Sequence, residues 1–310
     1  MNSYNKLGPS NNIFSVSLKT LKVAMFFWLL LGWYAIAGLN AQAQAQAQAV
    51  EADTVKPIRL GLIPHLSTQI MMKKYRPLIN YLQEEMNQPI IAITAPNFKT
   101  YIERVKNGDF DIYMTAPNMA AYHEKHNQHI RIVKFTQQLQ GVIVVAEDSP
   151  YHSLDDLKGK SIAAPDVMAV ITSLGEVTFK ENGIDPKNDI HIKYTPSHNN
   201  ALQSVAEEKA DAAILGYPAY KIITSSSKLR KPMRILIKTK VIPHMMFMTP
   251  PSVPVEERER LQAAMLKFSS TDAGKQFFAG VPFKDMAVIT DEDMQRLEDL
   301  LLILEDNLQE

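Results

Sequence analysis

The 310-residue sequence contains no cysteine. Disulfide bonds, thiolate catalysis, zinc–thiolate sites and a lipid-modified N-terminal cysteine are therefore excluded. The sequence also lacks an excess of either charge, because 33 Lys and Arg residues balance 33 Asp and Glu residues. A chain with no basic excess carries no electrostatic footprint for nucleic acid, so we expect no nucleic-acid partner.

Motifs that are typical of catalytic and cofactor sites are absent as well. The sequence has no G-x-S-x-G elbow, no H-E-x-x-H pair, no P-loop and no Rossmann glycine fingerprint. We therefore predict that the protein is not an enzyme and needs no cofactor. An exported α/β catalyst stays open as an alternative, since a binding fold can host chemistry.

Charge is almost missing from the first 50 residues. Lys6, Lys19 and Lys22 are the only charged residues there, and they precede a 17-residue apolar run at 23–39. An Ala-Gln repeat follows, with small-x-small cleavage sites that end at Ala43, Ala45, Ala47 or Ala49. This pattern predicts a signal peptide over residues 1–49 and a periplasmic protein. The alternative is an uncleaved membrane anchor, because 17 apolar residues can just span a bilayer.

Beyond Lys56, apolar runs alternate with helical patterns. The predicted strands of the first series are Pro57–Pro64, Pro89–Thr94, Phe110–Thr115 and Ile130–Phe135. The helices between them are expected to begin at Ser67 and Asn97, each acting as a cap, and at Asn118. A βαβαβαβ order of this kind predicts a mainly parallel sheet that is covered on both faces.

A second α/β series follows the long apolar run 141–146 and the polar break Glu147–Pro150. Its elements are a strand at Ser161–Ala164, a helix from about Met168 to Glu181, a strand at Ile190–Thr195, a helix at Asn199–Glu208 and a strand at Asp211–Gly216. Two more strands, within 233–239 and 244–249, precede three helical segments without a further strong strand. The last helix, Asp291–Leu308, should bury Leu297, Leu300, Leu301 and Leu304.

We predict an α/β fold with two lobes, the second inserted into the first. The first lobe would comprise residues 56–141 and 238–310, and the second lobe residues 142–237. Two crossings between lobes make a hinge, and the cleft between them faces strand carboxyl ends and helix N-termini. Open α/β sheets bind their ligands in such places.

Five segments resemble one known family in their order and spacing. They read IRLGLIP with YRPLINYLQEEM, FKTYIERVKNGDFDIYMTAPNMAAY, SPYHSLDDLKGKSIAAPD, KENGIDP and SHNNALQSVAEEKADAAI. The chain resembles, from about Ile58 to about Thr290, the phosphate/phosphite/phosphonate-binding family of periplasmic substrate-binding proteins. The resemblance implies a type II periplasmic-binding fold that closes on a small ligand by hinge motion. It also implies an ABC permease, or a membrane sensor kinase, as the partner of the closed state.

The resemblance transfers several ligand-facing positions to this chain. Tyr101, Thr115 and Asn118 match positions of the first lobe, and Ser197-His198 matches the family's Ser-His pair before a helix of the second lobe. Where the family carries a run of hydroxyl residues and glycine, this chain has Met168-Ala169-Val170-Ile171. The family's acidic residue after the next strand would fall at Gly216-Tyr217, where there is no carboxylate. The expected ligand is therefore an oxyanion or phosphonate-like molecule, or a more apolar one.

Each candidate ligand residue also has a purely structural interpretation. His198, expected at a helix N-cap, could donate to an oxyanion or serve as a turn residue, and Tyr101 has the helical phase of a core residue. Thr115 and Asn118 could line the cleft or cap a helix. A further group of residues could supply polarity or apolar contacts in the altered cleft, namely Asp166, Met168, Thr172, Tyr217 and His244.

Methionine is abundant, with 15 residues. The segment PHMMFMT (Pro243–Thr249), with His65, could supply thioether and imidazole ligands to Cu(I). Alternate residues of a strand face opposite sides, so Met245 and Met246 cannot both reach one cleft, and core packing is the rival interpretation. The sequence thus predicts a solute-binding protein for an ABC importer. The alternatives are a sensor subunit for a histidine kinase, a Cu(I)-binding protein and an enzyme.

Overall fold

The computed structural model describes residues 56–226 and 229–309. The predicted signal peptide lies outside the described residues, as does the alternative anchor. Within the described ranges, no helix is long and apolar enough to cross a bilayer.

The strands of the described residues form two sheets. They are β1 (Ile58–Leu62), β2 (Ile90–Ile93), β3 (Ile112–Thr115), β4 (Ile130–Phe135), β5 (Leu139–Ala146), β6 (Ser161–Ala164), β7 (His191–Tyr194), β8 (Ala212–Gly216), β9 (Met233–Ile242), β10 (Met246–Thr249) and β11 (Met286–Ala287). The first sheet has the order β11-β4-β10-β3-β1-β2, and the second has the order β7-β6-β8-β5-β9.

Helices cover both sheets. They are α1 (Thr68–Met86), α2 (Phe98–Lys106), α3 (Pro117–Asn127), α4 (Val170–Glu181), α5 (His198–Ala206), α6 (Tyr217–Ser226), α7 (Val255–Phe268), α8 (Asp272–Ala279), α9 (Asp291–Gln295) and α10 (Glu298–Gln309), with a 3₁₀ turn at Asp155–Leu157. A strand-helix alternation runs through each half of the chain, as the apolar periodicity predicts.

The first sheet is parallel on one side only. β1 pairs in parallel with β2 and β3, whereas β10 pairs antiparallel with both β3 and β4. The four strands of the predicted series run in the same direction, as predicted, but the returning strand β10 lies antiparallel between β3 and β4. In the second sheet β6 is parallel to β7 and β8, and β5 is antiparallel to β8 and β9.

The chain crosses between the sheets twice. It leaves the first sheet after Phe135 and enters the second at Leu139, and it returns between Ile242 and Met246. Each connection is three residues long, which limits its reach to about 10 Å. The lobe limits 56–141, 142–237 and 238–310 remain predictions.

Helix α4 begins later than predicted. Its first helical residue is Val170, with Ala169 at the N-cap, so Met168 does not belong to the first turn. Asp166 explains the difference, because its Oδ1 accepts from the Met168 N–H at 2.8 Å and its carbonyl accepts from the Ala169 N–H at 2.9 Å. A side chain that bonds the backbone two residues later favours a turn over helix.

The C-terminal part differs from the prediction in two details. The segment 291–308 is two helices rather than one, since α9 ends at Gln295 and α10 starts at Glu298. The short strand β11 was not predicted. The leucine stripe is confirmed, because Leu297, Leu300, Leu301 and Leu304 are all buried.

Helix α10 joins the two halves of the molecule. It packs against α3, which belongs to the first half, and against α4, which covers the second sheet. The Asn307 side chain donates to the carbonyl of Val167 at 3.3 Å, and Lys240 of β9 pairs with Asp299 at 2.6 Å. The apolar core is accordingly continuous through both halves.

Candidate ligand-binding site

The carboxyl ends of the parallel strands of both sheets lie at the edges from which the chain crosses over. In the first sheet these are the ends of β1, β2 and β3, and in the second the ends of β6, β7 and β8. β10 starts and β9 ends at the same edges, because their antiparallel pairing places Met246 beside Thr115 and Ile242 beside Leu139. Two short connections therefore hold the two carboxyl edges near each other.

Thr115 is a buried hydroxyl residue at the carboxyl edge of the first sheet. It ends β3, is 0% exposed, and its Oγ1 has no hydrogen-bond partner within the described residues. A buried hydroxyl without a partner carries a desolvation cost of about 1–3 kcal/mol. Each such group in a native fold calls for an explanation.

Two imidazoles stand at the same edge. His65 follows β1, and its Nδ1 lies 3.0 Å from the carbonyl oxygen of Ile63. His244 lies in the second crossing, and its Nδ1 accepts from the Met245 N–H at 2.8 Å. Burial, followed by the charge of His65, lowers the pKa of His244 to about 4. Desolvation likewise lowers the pKa of His65, so both side chains are neutral near pH 7.

His198 and Gly216 meet at the carboxyl edge of the second sheet. The Nδ1 of His198 accepts from the Gly216 N–H at 3.5 Å, and burial lowers the pKa of His198. Ser197 is the N-cap of α5, and its Oγ accepts from the Asn200 N–H at 3.2 Å. The prediction that His198 is the cap is wrong, since it is the first helical residue.

Tyr217 begins α6 beside Gly216. The ammonium groups of Lys221 and Lys238 lie 4.8 and 4.6 Å from the centre of its ring. Both lysines are exposed, so they add positive charge to this edge at low desolvation cost. The sequence alone did not single out either lysine.

A hydrogen bond connects the two edges. Nδ2 of Asn118, in α3, donates to the carbonyl of Met168 at 3.4 Å, and both residues are buried. The Oδ1 of Asn118 accepts from the Met119 N–H at 3.0 Å. The alternative interpretation, that Asn118 caps the helix, is wrong, because α3 starts at Pro117 with Ala116 at the N-cap.

The polar atoms of the loop before α4 are engaged within the loop itself. The hydroxyl of Thr172 donates to the carbonyl of Asp166 at 3.0 Å, and the Asp166 carboxylate holds the Met168 N–H. Met168 is 6% exposed and belongs to the apolar core. A ligand contact by any of these three side chains remains a prediction.

Tyr101 lies in the core of the first half. It is 0% exposed, its hydroxyl donates to the Met114 carbonyl at 2.7 Å, and its ring stacks on Phe110 at 5.3 Å. These contacts favour the packing interpretation over a ligand contact, which remains a prediction.

Substituting Tyr101 with phenylalanine should separate the two interpretations. Loss of the bond to the Met114 carbonyl should reduce the free energy of unfolding by about 1 kcal/mol. Ligand affinity should stay as in the parent protein, because a fully buried hydroxyl with a backbone partner has no free donor to offer. Urea unfolding and titration calorimetry measure the two effects, and a large drop in affinity at unchanged stability would contradict the packing interpretation.

No cluster of carboxylate or imidazole side chains in the described residues supports a copper site. Among residues 56–226 and 229–309, no group of three or more His, Asp or Glu side chains could hold a metal ion. Met246 and Met248 of β10 are buried in the core, while Met245 is half-buried.

A pocket of about 350 Å³ lies away from these edges, at the far end of α3. Its lining residues are Ala121, Glu124, Lys125, Arg131, Asp291, Met294, Gln295, Glu298 and Leu301. Arg131 pairs with both Glu124 and Asp291 at 2.6 Å. That guanidinium is therefore already neutralised by two carboxylates and is not a free anion-binding group.

Known structures share this architecture. XAC2383 from Xanthomonas citri, bound to chloride ion, has a TM-score of 0.71 and 16% identity over 82% of this chain and 98% of that one. PhnD1 from Prochlorococcus marinus, in complex with methylphosphonate, has a TM-score of 0.69 and 14% identity over 81% and 98%. The periplasmic aliphatic sulphonate-binding protein SsuA from Escherichia coli has a TM-score of 0.58 and 14% identity over 82% and 93%. The predicted two-lobed periplasmic-binding fold is thus confirmed.

A family model also matches the sequence over residues 60–294, which is most of the chain. The family is described as "ABC transporter, phosphonate, periplasmic substrate-binding protein". The resemblance that the sequence segments indicate is confirmed, together with the solute-binding role. The chain belongs to the phosphonate family of periplasmic substrate-binding proteins of ABC transporters.

Proposed function

We propose that the two carboxyl edges bind a small oxyanion that carries an organic substituent, and that the closed protein delivers it to an ABC permease. The observation that carries the proposal is the Thr115 hydroxyl, buried and without a partner at the carboxyl edge of the first sheet. A ligand oxygen at this position would supply the missing acceptor.

The surrounding groups fit an anion. Thr115 is followed directly by the N-terminus of α3, and His198 occupies the N-terminus of α5. The helix dipole favours negative charge at such ends. Lys221 and Lys238 add positive charge beside Tyr217.

Apolar side chains provide room for an organic substituent. An added Cβ on Gly216 would stand 3.8 Å from Ile171 and 3.9 Å from His198, so these three residues adjoin one another. Met168 lies across from Asn118. The apolar loop that replaces the family's hydroxyl run thus supports a ligand with a non-polar part, bound by fewer side-chain donors.

Five predicted contacts have less support. The polar atoms of Tyr101, Asp166, Thr172 and Ser197 already have partners in the protein. Both polar atoms of Asn118 likewise have partners in the protein. Thr115, His198, Tyr217 and His244 are the better candidates for direct contact. Export by a cleaved signal peptide belongs to the same proposal. A sensor role with a membrane kinase is the alternative. A pull-down that recovers either an ABC permease or a sensor kinase distinguishes the two roles.

The Thr115→Val substitution tests the site. Valine has nearly the shape of threonine but no hydroxyl, so we expect affinity for methylphosphonate or an alkanesulfonate to fall about 10- to 100-fold. The free energy of unfolding should stay equal or rise slightly, because the substitution removes an unpartnered buried hydroxyl. Titration calorimetry and urea unfolding measure both quantities.

Thr249 offers a matched control. It is also 0% exposed with an unpartnered Oγ1, but it ends β10 at the opposite edge of the sheet. Thr249→Val should therefore leave ligand affinity unchanged. Equal affinity in Thr115→Val and the parent protein would contradict the proposed site, and failure of every oxyanion to bind would contradict the proposed function.

A further inference from the structure

The contact of His65 with the backbone determines which nitrogen of its neutral ring carries the hydrogen. A carbonyl oxygen only accepts, so the 3.0 Å contact with Ile63 requires the hydrogen of the neutral ring on Nδ1. The Nε2 of His65 is then a bare lone pair. Within the described residues no donor lies within hydrogen-bonding distance of that nitrogen.

The other two imidazoles of the carboxyl edges have the opposite tautomer. Nδ1 of His244 accepts from the Met245 N–H, and Nδ1 of His198 accepts from the Gly216 N–H. Each neutral ring therefore carries its hydrogen on Nε2, where it is a donor. The edges thus present two imidazole donors, the Thr115 hydroxyl and one imidazole acceptor.

The position of His65 places this acceptor beside the donors. His65 follows β1, whose neighbour β3 ends at Thr115, and β10 next to β3 is entered through His244. Adjacent strands lie about 5 Å apart. His65 also lies close enough to His244 to contribute to the lowering of the pKa of His244. If an oxyanion spans these positions, protein donors would bond several of its oxygens, and the His65 acceptor would face one.

We propose that His65 is the specificity-determining residue of the cleft, because its Nε2 accepts the proton of a singly protonated oxyanion such as a hydrogen phosphonate. A sulfonate has no such proton near neutral pH, and its oxygens would face the lone pair of Nε2 without a bond. This inference rests on the proposed function.

The test compares two ligands of the same shape, methylphosphonate and methanesulfonate. In the parent protein at near-neutral pH, methylphosphonate should bind about tenfold more tightly than methanesulfonate. His65→Phe keeps a flat ring but removes the acceptor, so the two dissociation constants should become equal within about twofold. Titration calorimetry of the full mature chain gives the ratio directly.

Two further variants make the outcome specific to the acceptor. His244→Phe removes a donor and should weaken both ligands by a similar factor, which leaves their ratio unchanged. His191→Phe, at the exposed amino end of β7, should change neither affinity. An unaltered ratio in His65→Phe, or an equal loss for both ligands, overturns the role of His65 while the proposed oxyanion site stands. If neither ligand binds the parent protein, the proposed function fails and the inference with it.

Discussion

Replacing Gly274 with alanine should reduce the free energy of unfolding by about 3 kcal/mol or more. A Cβ on this residue would stand 1.8 Å from the carbonyl oxygen of Phe268 and 2.6 Å from its carbonyl carbon. These are backbone atoms, which cannot rotate away as a side chain can. The same carbonyl accepts from the N–H and the hydroxyl of Thr271, the N-cap of α8. Urea unfolding measures the loss.

Gly280 supplies the control for this effect. It follows the same helix, and its nearest neighbours, the carbonyl oxygens of Phe277 and Gln276, would lie 3.6 and 3.9 Å from an added Cβ. Gly280→Ala should therefore change stability by less than about 1 kcal/mol. A Gly274→Ala protein with the unfolding midpoint of the parent would contradict the close approach between α7 and α8.

Acid should destabilise the protein strongly between about pH 6.5 and pH 4. His123 is 0% exposed in α3, and its ring stacks on that of His129 at 5.5 Å. Its Nδ1 pairs with Asn127, whereas its buried Nε2 has no partner among the described residues. Burial lowers the pKa of His123 from 6.5 to about 3 and that of His129 to about 4.

The sign of the effect follows from these depressed values. Below pH 6.5 the unfolded chain takes up protons that the folded chain still excludes, so stability falls as the pH falls towards the folded pKa. At about pH 5 the loss from His123 is about 2 kcal/mol, and His244, with its pKa of about 4, adds a similar amount. His129, whose pKa burial lowers to about 4, adds to this loss.

His123→Phe isolates one part of this loss. The variant removes both the titrating group and the unpartnered nitrogen, so the fall in stability between about pH 7 and pH 5 should shrink by about 2 kcal/mol. His152→Phe, which changes an exposed histidine, serves as the reference. Urea unfolding across this pH range measures the slopes, and parallel slopes for His123→Phe and the parent would show that His123 takes up its proton in the folded state.

Local sequence patterns were sufficient to predict most elements of the fold. Asn97 accepts from the Thr100 N–H and starts α2, and Gly108, with a φ of 73°, follows its end. The position of β10 between β3 and β4 could not be predicted in this way. The pattern of Met246–Thr249 indicates a strand but does not indicate which strands it pairs with. Its place depends on contacts with residues more than 100 positions earlier in the chain.

The candidate site was predicted more coarsely than the fold. Thr115 and His198 were proposed from the family resemblance. They and Tyr217 lie at carboxyl ends of strands, where open α/β sheets bind their ligands. The tautomers of His65 and His244 depend on single backbone contacts that no periodicity encodes. Tyr101 shows the converse, because its helical phase fits a core position and a cleft position equally well.

The two attachments of helix α10 have a mechanical consequence for the cleft. A helix that packs on α3 and α4 together, and holds Val167 through Asn307 and Lys240 through Asp299, acts as a tether across the hinge. The lobes cannot swing apart without stretching or releasing this tether, so the resting angle between them is set partly at the C-terminus. Substitutions at residues that do not contact the ligand can therefore change its affinity, since the free energy of opening enters the apparent dissociation constant.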